Sequence, residues 1–209
     1  MAIKTSVREL SYDEAAAEMA RGTTPIDLRP VDDYLDVHIP GSIELLYEFG
    51  PGMPSRARDC IPLSTPLLLL DLGAGDLTNT AVSLRGKGFT VVGYVSDAVN
   101  GWAAENGTPA STEIVSGPTP PDGLVLDVGD PGARVTEPGS RIPIERLWGR
   151  AGEFTGEERV VLAAGAGVRA ALAVGLLERA GVPEVLFWHT QPSSIPFAIR
   201  NPRARSVSG

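Results

Sequence analysis

The sequence predicts an α/β protein of two domains, each a central, mainly parallel sheet with helices on both faces. Short apolar runs at 67–70 and 160–163 enter Gly-rich turns, which is typical of strands covered on both faces. A helical stretch and a further apolar run follow each turn, in the order of a βαβ unit. Because these elements recur on both sides of a Pro-rich segment, the sequence predicts a diverged tandem duplication.

The first half begins with a capping box, in which Ser11 accepts from the amide of Glu14 and the Glu14 side chain reaches back. This pattern predicts a helix to about Arg21. We then expect a strand at 26–28, a strand at 67–70, a helix at 78–87 and a strand at 91–94. Gly88 stands where the second helix needs a left-handed terminal residue.

The second half repeats this order with shorter loops. We expect strands at 126–128, 160–163 and 185–187, with a helix at 168–180 that ends at Gly181. The predicted divisions are a first domain at 1–110, a Pro-rich linker at 111–122, a shorter and more diverged second domain at 123–200, and a flexible basic tail at 201–209.

Composition excludes several classes of function. The net charge is −8, and its acidic excess lies in the first half, so neither nucleic acid nor an acidic membrane surface is an expected partner. No apolar stretch is long enough for a membrane span and the N-terminus lacks a signal pattern, so we expect a cytoplasmic protein. With one Cys and two His, we expect no metal and no cofactor.

The ordered motifs of the first half resemble a rhodanese-like domain. The matching segments are Ile-Asp-Leu-Arg at 26–29, His-Ile-Pro-Gly-Ser at 38–42, the strand and Gly-rich loop at 67–78, Gly-Phe at 88–89, and Trp102. The second half keeps Leu-Asp-Val at 126–128, Pro-Gly-Ser at 138–140 and Gly-Ala-Gly at 165–167. The pair is also similar to the C-terminal rhodanese pair of some metallo-β-lactamase-fold proteins.

Neither half carries the cysteine that the family uses to hold a persulfide. In the second loop, Ala164 occupies the cysteine position; in the first, one alignment puts Leu72 there and another puts Asp71 there. The first pseudo-active loop comprises Asp71, Leu72, Gly73, Ala74, Gly75, Asp76 and Leu77. The second comprises Ala164, Gly165, Ala166, Gly167, Val168, Arg169 and Ala170. The resemblance therefore implies a catalytically inactive binding or regulatory module associated with sulfur metabolism.

The loops still differ in their capacity to bind an anion at a helix N-terminus. Asp71 and Asp76 place carboxylates at the first loop, whereas the second keeps Arg169 with no acid between residues 159 and 178. We expect weak binding of sulfate or phosphate at Gly165, Gly167 and Arg169. The alternative is that these glycines only allow a tight turn.

Other residues have simpler interpretations. Asp27 and Asp127 are expected to bond loop amides, and His38 to shape a turn; His189 lies where the second domain ends, with no metal-ligand pattern. Cys60 lies about a dozen residues before the first loop, without an activating neighbour in sequence. Remaining alternatives are a sulfurtransferase using Cys60, a hydrolase-like site on Asp71, or a structural module that binds a protein partner or forms a homodimer.

Overall fold

The computed structural model describes residues 6–48, 50–129, 141–165, 167–189 and 205–206. The helices are α1 Tyr12–Ala20, α2 Val31–Asp36, α3 Gly52–Cys60, α4 Leu77–Gly86, α5 Ala98–Asn106, α6 Ile144–Arg150 and α7 Gly167–Ala180, with a 3-10 turn at Ala151–Phe154. The strands are β1 Thr24–Asp27, β2 Ile43–Glu44, β3 Leu67–Asp71, β4 Val91–Ser96, β5 Ile114–Ser116, β6 Leu124–Asp127, β7 Val160–Ala164, β8 Val185–His189 and β9 Arg205–Ser206. Every helix in this part of the chain is too short or too polar to cross a bilayer.

The predicted helix termini are confirmed. The Glu14 amide donates to Ser11 Oγ at 3.2 Å, and the Ser11 amide donates to Glu14 Oε2 at 3.0 Å, so the capping box opens α1. Gly88 and Gly181 follow α4 and α7 with φ of +103° and +97°, a conformation that strains any residue with a Cβ.

The first sheet has the strand order β2-β1-β3-β4, and all of its neighbouring strands are parallel. Residues 67–69 of β3 are fully buried, and Leu70 is 1% exposed. The uninterrupted apolar run is therefore explained by its central place, since neither face of β3 meets water.

The second sheet has the order β6-β7-β8-β5-β9, again parallel throughout. Its central strand β7 is buried along its whole length. Strand β5 lies in the segment predicted as a linker at 111–122, so this part of the prediction is wrong. Because Pro and Gly residues flank Ile114–Ser116, the sequence pattern did not indicate the short strand there, which pairs with β8.

The three central strands follow the same order in both sheets. Outside β4, Glu9 forms a parallel bridge with Tyr94, at the place that β5 takes beside β8. Outside β6, Arg141 forms a parallel bridge with Asp127, at the place that β2 takes beside β1. The similarity therefore extends from the motifs to the strand order and direction.

The chain divides into two units, Met1–Pro30 with Ser42–Pro109 and Val31–Gly41 with Ala110–Gly209. The segment 31–41, which the sequence assigned to the first domain, belongs to the second unit. The reason is its contact with α7: Glu178 accepts from the Gly41 amide at 2.9 Å and lies 3.1 Å from His38 Nε2. His38 is thus more than a turn residue, because its Nδ1 also bonds the Tyr34 carbonyl at 2.8 Å.

Replacing a leucine in the central strand will test its contribution to stability. We expect Leu69→Ala, at a fully buried position of β3, to lower the free energy of unfolding by about 2–5 kcal/mol, because it removes apolar contacts and leaves a cavity. Urea denaturation followed by circular dichroism measures the change. The matched control is Leu63→Ala, at a position 42% exposed, which we expect to change stability by at most about 0.5 kcal/mol. Equal losses in both variants contradict the assignment.

Candidate functional site

The predicted loops lie at the carboxyl edges of the two sheets, because all the strands in each sheet are parallel. In open parallel sheets this edge is where ligands bind, outside the strand ends. β3 ends with Asp71 at the first edge. At the second, β6, β7 and β8 end with Asp127, Ala164 and His189.

Strand register decides which residue of the first loop matches Ala164. The residue before the strand-ending aspartate of β1 opposes Leu69, and its counterpart in β6 opposes Leu162. Two residues further along are Asp71 and Ala164, the last residues of their strands. Of the two alternatives left open by the sequence, Asp71 therefore matches Ala164, and Leu72 is the next residue along.

The first loop is occupied by its own carboxylates. Asp76 caps α4, with Oδ1 accepting from the Asn79 amide at 2.9 Å, and Asp71 Oδ1 lies 3.4 Å from the Gly73 amide. A Cβ on Gly75 would lie 2.7 Å from the Tyr47 ring, so this close approach requires glycine. Asp76 thus satisfies one of the amides that an external anion would use at the N-terminus of α4.

The second loop leads into a helix that begins one residue earlier than predicted. α7 begins at Gly167, so Val168, Arg169 and Ala170 form its first turn; Ala166 lies outside the described residues. The helix presents its positive N-terminal end directly after Ala164 and Gly165. Arg169 Nη1 lies 3.4 Å from Glu145 Oε1 of α6, an acid that the local sequence around Arg169 does not reveal.

His189 is brought to the second loop, although its sequence neighbours offered no sign of a site. It ends β8 beside Ala164 and is 5% exposed. Burial lowers the pKa of its imidazole, and a hydrogen bond to the Gly165 backbone partly offsets this. Its Nε2 has no hydrogen-bond partner among the described residues.

The two strand-ending aspartates hold loop amides, as predicted, but only one is also paired with a cation. Asp27 accepts from the Arg29 amide at 3.0 Å and from its guanidinium at 2.6 to 3.1 Å. Asp127 Oδ1 accepts from the Gly129 amide at 2.9 Å, while its buried Oδ2 has no partner among the described residues. Gly129, two residues after Asp127, supplies an amide but no guanidinium to this carboxylate.

Glu44, which the sequence analysis missed, is a fully buried acid at the end of β2. Burial raises the pKa of its carboxyl well above the ordinary value; Arg56 opposes this, and Asp27 adds to it. The Leu46 amide also lies near enough to favour ionisation. Its geometry falls short of a hydrogen bond, and neither carboxyl oxygen bonds a described residue. A charged residue inside the otherwise apolar run 43–46 was the sign in the sequence that could have identified this buried acid.

Cys60 is buried at the end of a helix. It is the last residue of α3 and is 3% exposed. The C-terminal end of a helix disfavours a thiolate, and burial disfavours it further. Across the described ranges, no group of three His, Cys, Asp or Glu side chains is arranged to hold a metal ion.

Comparison with known proteins yields likenesses in fold alone. No protein-family model and no curated protein matches the chain. Thiosulfate sulfurtransferase from Pseudomonas aeruginosa is 20% identical, with a TM-score of 0.36, over 88% of this chain and 38% of that one. SseA from Escherichia coli, described as a 3-mercaptopyruvate sulfotransferase with the rhodanese fold, is 16% identical, with a TM-score of 0.37, over 88% and 98%. This chain thus spans little more than a third of the Pseudomonas protein.

Glu44→Gln will reveal the cost of burying this carboxyl. A raised pKa in the folded state means that the stabilising contribution is complete below the ordinary glutamate pKa of about 4.5 and is lost as pH rises through the folded value. We therefore expect the variant to gain stability relative to the wild type between about pH 5 and pH 8, by up to ~1.4 kcal/mol per pH unit. Urea denaturation across this range measures it. The exposed Glu105→Gln is the control, and parallel curves for Glu44→Gln and wild type contradict the assignment.

Proposed function

We propose that the chain is a non-catalytic tandem rhodanese-like protein that acts as a binding module, with an oxyanion site at its second loop. Its place in sulfur metabolism is inferred from the motif resemblance alone. The observation that carries the proposal is the identity of the two strand-ending residues: a carboxylate, Asp71, at one edge and a methyl group, Ala164, at the other. Neither side chain can form a persulfide.

The tandem character is supported by the agreement between motifs and strand order. In both units a strand ending in an aspartate neighbours the central strand, and the central strand leads through a Gly-containing turn into a helix. A duplication followed by shortening of the loops accounts for this agreement.

The loss of catalysis is supported by the surroundings of the single thiol. A reactive cysteine needs exposure and a group that stabilises the thiolate. Cys60 has a buried position at the wrong end of a helix, so it offers neither. The hydrolase-like alternative on Asp71 is also disfavoured, because among the described groups this carboxylate neighbours the Gly73 amide rather than a base.

The binding role is proposed for the second loop because α7 begins there at Gly167, and the preceding residue in the sequence, Ala166, has no side chain that could cap the helix as Asp76 caps α4. Arg169 lies in the first turn of this helix and contacts Glu145 at 3.4 Å, an ion pair between partly exposed side chains of the kind that contributes little to stability. The proposed module also binds a protein partner or a second copy of the chain. Light scattering over a concentration series tests whether the chain associates with itself.

Sulfur transfer is the activity to measure. We expect no thiocyanate from thiosulfate and cyanide above the blank, and no added sulfur on the protein by intact mass after exposure to thiosulfate, because Cys60 is buried. Cys60→Ser is the matched variant, and an active sulfurtransferase run in parallel shows that the assay works.

The outcome that contradicts non-catalysis is turnover, with a one-sulfur mass increase, that disappears in Cys60→Ser. Activity that persists in the variant identifies a contaminating enzyme. The intact mass of the purified chain then shows whether the chain itself has gained a sulfur.

A further inference from the structure

A buried histidine and a glutamate hold segment 31–41 against α7. His38 is fully buried, and its Nε2 lies 3.1 Å from both carboxyl oxygens of Glu178, whose side chain is 17% exposed. Glu178 Oε2 also accepts from the Gly41 amide at 2.9 Å. One carboxyl group of α7 therefore binds the segment at two points, and both partners belong to the second unit.

The segment packs closely in this position. A Cβ on Gly41 would lie 3.4 Å from the Cα of Arg179, so the turn approaches the backbone of α7. The His38 amide donates to the Ala110 carbonyl at 2.9 Å, and the Ala110 amide donates to the His38 carbonyl at 3.0 Å. Docking of the segment therefore protects a defined set of amides, which opening would expose to water.

Both ring nitrogens of His38 face acceptors. Nδ1 lies 2.8 Å from the Tyr34 carbonyl oxygen, which can only accept, and Nε2 faces the carboxyl group of Glu178. A neutral imidazole has one N–H and can donate to only one of these partners, whereas an imidazolium donates to both. The docked pair therefore needs one proton more than a neutral histidine and an ionised glutamate carry together.

This proton count is the same whichever partner carries the proton. If the carboxyl group is protonated, Glu178 donates to Nε2 and Nδ1 donates to Tyr34, and the pair holds the same total. The equal distances from Nε2 to the two carboxyl oxygens, and the Gly41 amide that donates to one of them, favour the carboxylate with an imidazolium. A histidine in water has largely lost this proton by about pH 7.5.

The surroundings of the pair are mostly acidic. The elements packed around His38 carry these charged residues: Asp32, Asp33 and Asp36 on α2, Glu113 before β5, and Glu178 and Arg179 on α7. The Arg179 guanidinium lies over the Trp148 ring, 5.5 Å from its centroid, and the Tyr34 ring stacks on His38 at 4.3 Å between centroids. Because burial by itself disfavours a charge, the imidazolium depends on Glu178.

We propose that the His38–Glu178 pair is a pH-dependent switch: segment 31–41 stays docked on α7 while the pair holds its extra proton, and docking weakens as pH rises. Docking takes up a proton, so the docked fraction is greatest at low pH and falls as pH passes the ordinary histidine range. Without that proton, either Nε2 turns a lone pair to the carboxylate or Nδ1 turns one to the Tyr34 carbonyl. Each arrangement leaves two acceptors facing each other in a buried place.

Hydrogen exchange on the full wild-type chain tests this switch. The amides of His38, Gly41 and Ala110 report the docked state, because each is bonded within it. After correction for the intrinsic effect of pH on exchange, we expect their protection to fall as pH rises from about 6 to 8. The expected slope approaches tenfold per pH unit at the upper end, since opening releases one proton.

Glu178→Gln removes the need for the extra proton. Its amide NH2 can donate to Nε2 of a neutral His38 while its oxygen accepts from the Gly41 amide. We therefore expect protection of these amides in Glu178→Gln to change by less than about twofold between pH 7 and pH 8. Glu157→Gln, at an exposed acid of the same unit, is the control for net charge and should keep the wild-type slope. Circular dichroism checks that both variants are folded.

Each outcome decides for or against the switch. Equal protection of the three amides at pH 6 and pH 8 in the wild type overturns it, and so does a wild-type slope that persists in folded Glu178→Gln. A slope that is lost in Glu178→Gln and kept in Glu157→Gln supports it. If Glu178→Gln does not fold, the wild-type slope alone decides, because that comparison needs no substitution.

Discussion

Burial of the two central strands on both faces is the constraint on which the rest of this structure depends. β3 and β7 are apolar and almost wholly shielded from water, so their backbone groups must pair with parallel neighbours on either side. Parallel pairing in turn brings all the carboxyl ends in each sheet to one edge. The polar residues that end the strands therefore lie near the helix N-termini at that edge.

The polar groups at the two carboxyl edges have different partners. At the first, Asp27 is paired with Arg29 and Asp76 caps α4, while the carboxyl oxygens of Glu44 have no partner among the described residues. At the second, Gly129 replaces the arginine, and no described residue satisfies the outer oxygen of Asp127 or the outer nitrogen of His189. Both edges therefore contain buried polar atoms without a partner among the described residues, and they differ in which residues carry those atoms.

Glu44 is a buried acid in the first unit. An acid in a strand that is buried on both sides is expensive, and its raised pKa reflects desolvation that Arg56 only partly offsets. The cost is tolerated at the edge strand β2, where the chain passes to the next loop. The raised pKa favours the neutral form of this carboxyl more than an exposed glutamate would allow.

Local patterns were sufficient for most of the fold. The capping box at Ser11, the terminal glycines and the apolar runs predicted α1, α4, α7 and the central strands, because their causes lie within a few residues. The predicted bounds differ by one or two residues, since helix ends are settled by capping contacts. The linker prediction was wrong because a strand as short as β5 shows no periodicity and is defined by its partner β8.

The sequence by itself determined the α/β class, the repeated order of motifs and the absence of a cysteine from both loops, because these follow from residue type and spacing. Tertiary structure alone decided that Asp71 matches Ala164, that segment 31–41 belongs with α7, and that Glu145 reaches Arg169. It also decided that His189 lies against the second loop. These are contacts between residues distant along the chain, and only strand register and burial bring them together.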